Sequence, residues 1–215
     1  FLYGPETFYQ TEVIQALIKK WITEDNRDFN LETFDAREST VSHWLGSART
    51  LSFVGGTKLV VVRNLHEAIP KDQDAQTLID YAQSPIPEAC VVITADKVDR
   101  KRKLFKTLTG LKTAVACEAP KENELASWLR KRAGETGYSL SPDAARFLVN
   151  RMGARPGILA KELEKTLLYV GKNESVSEKD VSEVVGESKL ENVFALTDAL
   201  KTKNPEKALR LLNNQ

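Results

Sequence analysis

The residues whose types and spacing could support chemistry come first in the chain, where a strand, a loop and a helix pattern follow one another in residues 1–21. A phosphate-binding loop has the form GxxxxGK(S/T), in which backbone N–H groups wrap the phosphates, the lysine reaches the outer ones and the hydroxyl holds magnesium. With Gly4 in the first position, Tyr9 replaces the second glycine and Gln10 replaces the lysine. Thr11 keeps the hydroxyl. This spacing predicts a degenerate phosphate loop that holds no ATP, and the alternative is an ordinary strand-turn-helix unit without a site.

Other side chains that could bind a metal or act as nucleophiles are few and badly spaced. The chain has two histidines, His43 and His66, and neither belongs to a zinc motif. Cys90 and Cys117 lie inside separate apolar runs, as expected of reduced core thiols in a cytoplasmic protein. We therefore expect no catalytic residue, no metal ion and no cofactor, and a cytoplasmic location.

Composition restricts the partners that the chain can bind. Its net charge is +1 and 41% of its residues are hydrophobic, so a nucleic-acid surface has to be local rather than general. No apolar run reaches the ~20 residues that cross a bilayer, and we expect no membrane partner. One cluster of cations lies on a helix predicted at residues 96–110, where it could track phosphates or form a solvated helix face. The candidate DNA-contacting residues are Lys97, Arg100, Lys101, Arg102, Lys103 and Lys106.

Apolar runs and helical periods alternate over residues 1–119, which is typical of a parallel sheet covered by helices. The run Leu59-Val60-Val61-Val62 is apolar throughout, as in a strand buried on both faces. Four helical patterns separate the strand patterns, which lie at residues 1–3, 31–34, 59–62, 90–95 and 113–117. The sequence therefore predicts an α/β domain with five parallel strands.

Strand patterns stop at Pro120, and only helical patterns follow. Ser141-Pro142, and Ser177 with Asp180, are typical helix starts, so residues 120–188 are predicted to form a small all-helical domain. Two more helical patterns, at residues 193–200 and 205–212, predict the opening of a third domain at residues 189–215. The chain begins without methionine in a strand pattern and ends after a helical one, so we expect a fragment of a longer protein.

Five stretches of this sequence resemble one family of proteins. In chain order they are FLYGPETF, ARTLSFVGGTKLVVVRN, ADKVDRKRKLFKTL, ELEKTLLYVG and NVFALTDAL. The arrangement resembles the AAA+ clamp-loader ATPases, and the stretches are similar to those of the bacterial DNA polymerase III delta-subunit family. The resemblance implies an AAA+-type (P-loop NTPase-like) α/β domain at residues 1–119, a helical lid domain at 120–188 and the start of a helical collar domain at 189–215.

The resemblance also implies a binding surface just after the helix pattern of residues 41–49. In the family this segment inserts as an apolar plug into a pocket of the ring-shaped beta sliding clamp and distorts the neighbouring interface of the ring. The residues matched to it are Thr50, Leu51, Ser52, Phe53 and Val54. The alternative interpretation is that Phe53 packs under the sheet of its own domain.

The nucleotide chemistry of the AAA+ ATPases is missing at three positions. Arg63-Asn64 follow the third strand where acidic residues would hold magnesium, and Ala160 stands where the lid would supply an arginine. A Ser-Arg-Cys motif, which offers an arginine finger to a neighbouring subunit, is absent before the last predicted strand. The resemblance therefore implies a subunit that does not hydrolyse ATP, because losing one such group can cost ~10²–10⁵ in rate.

The role implied by the resemblance is to bind and open the beta sliding clamp so that it can be loaded on primed DNA during replication, within the DNA polymerase III holoenzyme. The implied partners are that clamp, the gamma/tau and delta-prime subunits, and primer-template DNA inside the complex. The alternatives are a delta-prime-like stator subunit, an active P-loop NTPase with an atypical loop, and an AAA+ adaptor that binds DNA without the clamp.

Overall fold

The structure is a computed structural model that describes residues 1–171 and 175–185. The chain divides into two compact units, Phe1–Glu118 and Ala119–Gln215, which are treated separately below. The predictions made for residues 189–215, including the collar domain, its two helices and the stretch NVFALTDAL, lie outside the described residues.

The first unit is built on one parallel sheet, as the apolar runs predict. Its strands are β1 (Leu2–Tyr3), β2 (Leu31–Asp35), β3 (Lys58–Arg63), β4 (Ala89–Ala95) and β5 (Val115–Ala116). They are ordered β2-β3-β4-β1-β5, and each neighbouring pair runs parallel. The prediction of a five-stranded parallel sheet is confirmed, although β5 is shorter than the apolar run at residues 113–117. All five carboxyl ends meet at one edge of this sheet.

Helices cover both faces of the sheet because successive side chains of a strand point to opposite sides. The helices are α1 (Thr7–Trp21), α2 (Arg27–Asn30), α3 (Val41–Arg49), α4 (Asp72–Gln83) and α5 (Lys103–Thr109). On one face, Leu59 and Val61 pack in a core cluster with Ile14 of α1. On the other face, Val60 and Val62 share a cluster with residues of α3, α4 and α5. This alternation explains why β3 has no polar residue between Leu59 and Val62.

The basic helix predicted at residues 96–110 is wrong in its first half. Helix α5 begins only at Lys103, after Arg102, whose backbone is extended with φ −75° and ψ 132°. The cause is Asp99, because its carboxylate accepts the backbone N–H of Lys101 and its carbonyl accepts that of Arg102. Such a turn gives the backbone an alternative to helical hydrogen bonds. Four of the six candidate cations therefore lie in the loop before the helix rather than on it.

The second unit is mainly helical over its described residues. Its elements are a 3-10 helix (Glu122–Glu124), α6 (Leu125–Glu135), β6 (Ser139–Leu140), α7 (Pro142–Met152), α8 (Pro156–Val170), β7 (Ser175–Val176) and α9 (Glu178–Val184). Ser141 caps α7 by accepting the N–H of Ala144 at 3.1 Å. Ser177 and Asp180 form the predicted capping box of α9.

The prediction that this unit is all-helical is wrong in one detail. The strands β6 and β7 pair in parallel, with Ser139 opposite Ser175 and Leu140 opposite Val176. Leu140 and Val176 are buried in the same cluster as the helices, so the short pair closes one side of the helical core. Two residues are too few to produce the alternation by which a strand is recognised in a sequence.

Candidate functional site

The loop after β1 is too short to wrap a phosphate. Helix α1 begins at Thr7, so only Gly4-Pro5-Glu6 separate it from the strand, and residues 7–9 of the GxxxxGK(S/T) frame are already helical. Gly4 has φ +128°, and its N–H donates to the carbonyl of Ala95 at 2.9 Å. A Cβ at Gly4 would lie 2.3 Å from the carbonyl oxygen of Cys117. The loop is therefore packed against the chain at the ends of β4 and β5, where only glycine fits.

The start of helix α1 carries a negative charge where a nucleotide would bring its own. The carboxylate of Glu6 accepts the N–H of Phe8 at 3.2 Å, and the Glu6 carbonyl accepts that of Tyr9 at 3.2 Å. Free N–H groups at a helix N-terminus are what binds a phosphate. Because Glu6 takes up these donors and adds a like charge, a triphosphate placed here would be repelled.

The two polar residues of the degenerate loop bond within the protein. The buried side chain of Gln10 donates to the carbonyl of Gly4 at 2.9 Å and to Oδ1 of Asp96 at 3.3 Å. The hydroxyl of Thr11 donates to the carbonyl of Thr7 one helical turn earlier, at 2.9 Å. Gln10 thus ties the first loop to the end of β4, and Thr11 is turned onto its own helix.

At the carboxyl end of β3, polar side chains are paired with each other. Nδ2 of Asn64 donates to Oδ2 of Asp35 at 2.8 Å. Arg37 forms ion pairs with Asp35 at 2.7 Å and with Glu67 at 3.3 Å. Hydrogen bonds from Arg37 hold the pKa of Asp35 well below its usual range. The described residues contain no group of three or more His, Cys, Asp or Glu side chains arranged to hold a metal ion.

The segment that follows α3 exposes its apolar side chains, which makes it the clearest binding feature of the first unit. Leu51 is 74% exposed, Phe53 is 95% exposed and Val54 is 48% exposed. We refer to residues 50–56 as the apolar loop. The alternative interpretation, in which Phe53 packs under its own sheet, is wrong in this structure because the ring lies almost wholly in solvent. Isolated exposed apolar residues are common, but a cluster of them indicates a binding surface.

Polar contacts on the inner side of the apolar loop fix its backbone. Thr50 ends α3, and its hydroxyl donates to the carbonyl of Gly46 at 2.9 Å. The hydroxyl of Ser52 donates to Oδ1 of Asn30 and accepts the N–H of Val54 at 3.3 Å. Gly55 and Gly56 have φ +73° and +81°, conformations that glycine adopts at little cost. The loop is therefore held polar side inward and apolar side outward.

The cationic cluster forms an exposed loop at the carboxyl end of β4, and all six side chains face solvent. Three of them have partners: Arg100 lies over the ring of Tyr3 at 5.9 Å, Lys103 donates to Gln76 at 2.9 Å, and Arg102 pairs with Asp99 at 3.9 Å. The other three members are Lys97, Lys101 and Lys106. We call residues 97–106 the basic loop.

Sequence reasoning missed two residues that shape these sites, Glu6 at the start of α1 and Asn30 beneath the apolar loop. A helix N-cap is normally Ser, Thr, Asp or Asn, so Glu6 gave no signal. Asn30 acts on residues more than 20 positions away, and no local pattern reports such a contact.

Together the sheet order, the helices on both faces and the closed loop after β1 define an α/β domain of the AAA+ type without an open phosphate site. The chain belongs to the DNA polymerase III delta subunit family, whose sequence profile matches residues 1–118. A curated relative, DNA polymerase III subunit delta of Bacillus subtilis, is 26% identical over 220 residues, covering 98% of this chain and 63% of the relative. The chain thus spans less than two thirds of that protein.

Solved structures share the fold. The Bacillus subtilis DNA clamp loader delta protein (YqeN) superposes with a TM-score of 0.83 at 24% identity, covering 99% of this chain and 65% of that one. The RuvB Holliday junction branch migration motor of Thermotoga maritima superposes with a TM-score of 0.52 at 12% identity, covering 94% and 68%. These likenesses show the AAA+-like architecture alone. Within the described part of the chain, every helix is too short or too polar to span a membrane.

Proposed function

We propose that this protein acts as the delta subunit of a bacterial clamp loader, which binds the beta sliding clamp and opens it for loading on primed DNA. The observation that carries the proposal is the apolar loop, with Leu51 and Phe53 exposed on a backbone that is fixed from inside. Family membership supports it because the matched residues 1–118 include this loop.

The proposed mechanism is insertion of the apolar loop into a pocket of the clamp. Burying a leucine and a phenylalanine contributes roughly 1.5–3 kcal/mol each, and such clustered anchors are typical of interface hot spots. A fixed backbone lowers the entropy lost on binding. Contacts that the loop makes only when the neighbouring clamp interface is distorted would stabilise the open ring, because a ligand shifts an equilibrium by its differential affinity for the two states.

In this proposal the chain itself does not hydrolyse ATP, and the gamma/tau subunits supply that activity. The support is the three-residue loop after β1, the Glu6 carboxylate at the start of α1 and the internal bonds of Gln10. Calorimetry with Mg²⁺ and ATP tests this part. Tight, magnesium-dependent binding would favour the active NTPase instead.

The remaining parts of the proposal concern neighbours in the complex. The second unit serves as the lid domain, and gamma/tau, delta-prime and primer-template DNA are the other partners of a cytoplasmic assembly. The basic loop contacts DNA phosphates in this arrangement, supported by the exposure of its six cations. A DNA contact made by phosphates weakens steeply with salt.

The decisive experiment is capture of the beta sliding clamp of the same bacterium by this protein, measured without nucleotide by surface plasmon resonance. We expect saturable binding that ATP does not alter. No binding to the clamp, together with salt-dependent DNA binding, would favour the AAA+ adaptor and contradict the proposal.

A further inference from the structure

Asn30, at the end of α2, is a fully buried polar residue beneath the apolar loop. Its Nδ2 donates to the carbonyl of Gly55 at 2.8 Å and approaches that of Thr57 at 3.5 Å. Its Oδ1 accepts the hydroxyl of Ser52. One carboxamide thus bonds to the middle and to the end of the same loop, and it lies 22 to 27 positions away in sequence.

We infer that Asn30 is a positioning residue for clamp recognition: it contacts no partner itself and presents Leu51 and Phe53 by holding the loop backbone on which they stand. This inference rests on the proposed function for its partner, the sliding clamp. The loop-holding part rests on the contacts of Asn30 alone.

A carboxamide suits this role because it offers donors and an acceptor in one small planar group. The loop has few other anchors, since its apolar side chains face solvent and two of its residues are glycines with positive φ. Without Asn30, the buried carbonyl of Gly55 and the hydroxyl of Ser52 lose their partner, which removes the reason for one fixed conformation. The loop would then pay an ordering cost each time it entered the clamp.

There is also a steric requirement at this point. A Cβ at Gly56 would lie 3.2 Å from Nδ2 of Asn30, so the loop backbone lies directly against the carboxamide. Glycine at this position permits both the close approach and the φ of +81°. The hydrogen bonds and the close approach together set the height of the loop above the sheet.

The experiment compares Asn30→Ala with Asn26→Ala as a matched control in the same region. The Asn26 carboxamide bonds to Thr23 and Trp21 rather than to the apolar loop. Hydrogen exchange in the free protein should show faster exchange of the residue 51–56 amides in Asn30→Ala and little change there in Asn26→Ala. Clamp affinity, measured by surface plasmon resonance, should fall about 5–50-fold in Asn30→Ala.

A cycle with Phe53→Ala separates positioning from general loss of stability. If Asn30 acts through the loop, Asn30→Ala should weaken clamp binding clearly in the native background and less than about threefold when Phe53→Ala is already present. Equal losses in both backgrounds, or unchanged exchange of the loop amides, would overturn the inference. If Asn30→Ala does not fold, Ser52→Ala removes one of the same contacts and takes its place in both measurements.

Failure of the proposed function gives a different result. In that case Phe53→Ala leaves clamp affinity unchanged, and the clamp part of the inference is refuted along with it. Faster loop exchange in Asn30→Ala would still support the holding role of the carboxamide, and unchanged exchange would contradict that as well.

Discussion

Replacing both exposed anchors, Leu51→Ala with Phe53→Ala, should nearly abolish binding to the sliding clamp without unfolding the protein. In the free protein the two side chains are 74% and 95% exposed, so removing them takes little away from the core. Surface substitutions of this kind usually change the free energy of unfolding by less than about 0.5 kcal/mol. The thermal midpoint should therefore move by only a few degrees.

The loss of affinity follows from the area that the clamp would cover. Full burial of each side chain contributes roughly 1.5–3 kcal/mol, or about 3–6 kcal/mol together. At about 1.4 kcal/mol for each factor of ten, the double variant should bind about 10²–10⁴ times more weakly. Each single variant should fall between the native protein and the double variant, and Phe53→Ala should have the larger effect because its ring is larger and more exposed.

Surface plasmon resonance with immobilised clamp measures the change, and Leu168→Ala is the matched control. Leu168 belongs to the second unit and is 76% exposed, close to the value for Leu51. It should leave clamp affinity unaltered. A double variant that binds within about threefold of the native protein would refute the argument, as would an equal loss in Leu168→Ala.

Three further predictions concern the fold and the basic loop. Gly4→Ala should lower the free energy of unfolding by more than about 2 kcal/mol in chemical denaturation, because its Cβ would lie 2.3 Å from a carbonyl oxygen at φ +128°; an unchanged midpoint would contradict the close packing of this loop. Glu32→Gln should cost about 1–3 kcal/mol at neutral pH, because it leaves the buried ammonium of Lys58 without its ion-pair partner at 2.6 Å. Burial alone would raise the pKa of Glu32, but hydrogen bonds from Lys58 and Ser47 hold it below its ordinary value; its stabilisation is therefore present above the ordinary pKa and lost as pH falls through the folded one. Glu32→Gln should flatten this acid side of the stability profile, and an equally steep profile would be the contrary result. Replacing Lys97, Lys101 and Lys106 with glutamine should reduce the salt dependence of DNA binding by about 0.9 per lost phosphate contact in filter binding, and an unchanged slope would assign the basic loop to solvent.

The parallel sheet and the end of α3 could be predicted because their signals are local and periodic. The run Leu59-Val60-Val61-Val62 is apolar enough to be buried on both faces, and the structure places it at the centre of β3. The predicted helix with Val41, Trp44, Leu45 and Ala48 on one side is α3, and all four residues are buried. Caps at Ser141 and Ser177 were equally readable, since their side chains bond within three residues.

Other features could not be predicted because they depend on competition or on distant partners. The residues 97–102 have the composition of a basic helix, yet the turn at Asp99 prevails over helix propensity. The parallel pair of β6 and β7 joins residues far apart in sequence and is only two residues long in each strand. For the candidate site, the apolar loop followed from the resemblance, whereas the holding role of Asn30 required the coordinates.

Photo-cross-linking from position 53 tests the central claim most directly. A benzophenone amino acid placed there in the protein, and at position 168 as a control, is irradiated in the presence of the clamp. We expect a cross-link to the clamp from position 53 and none above background from position 168. Cross-linking from position 168 alone would contradict the account, because the clamp would then bind a surface other than the apolar loop.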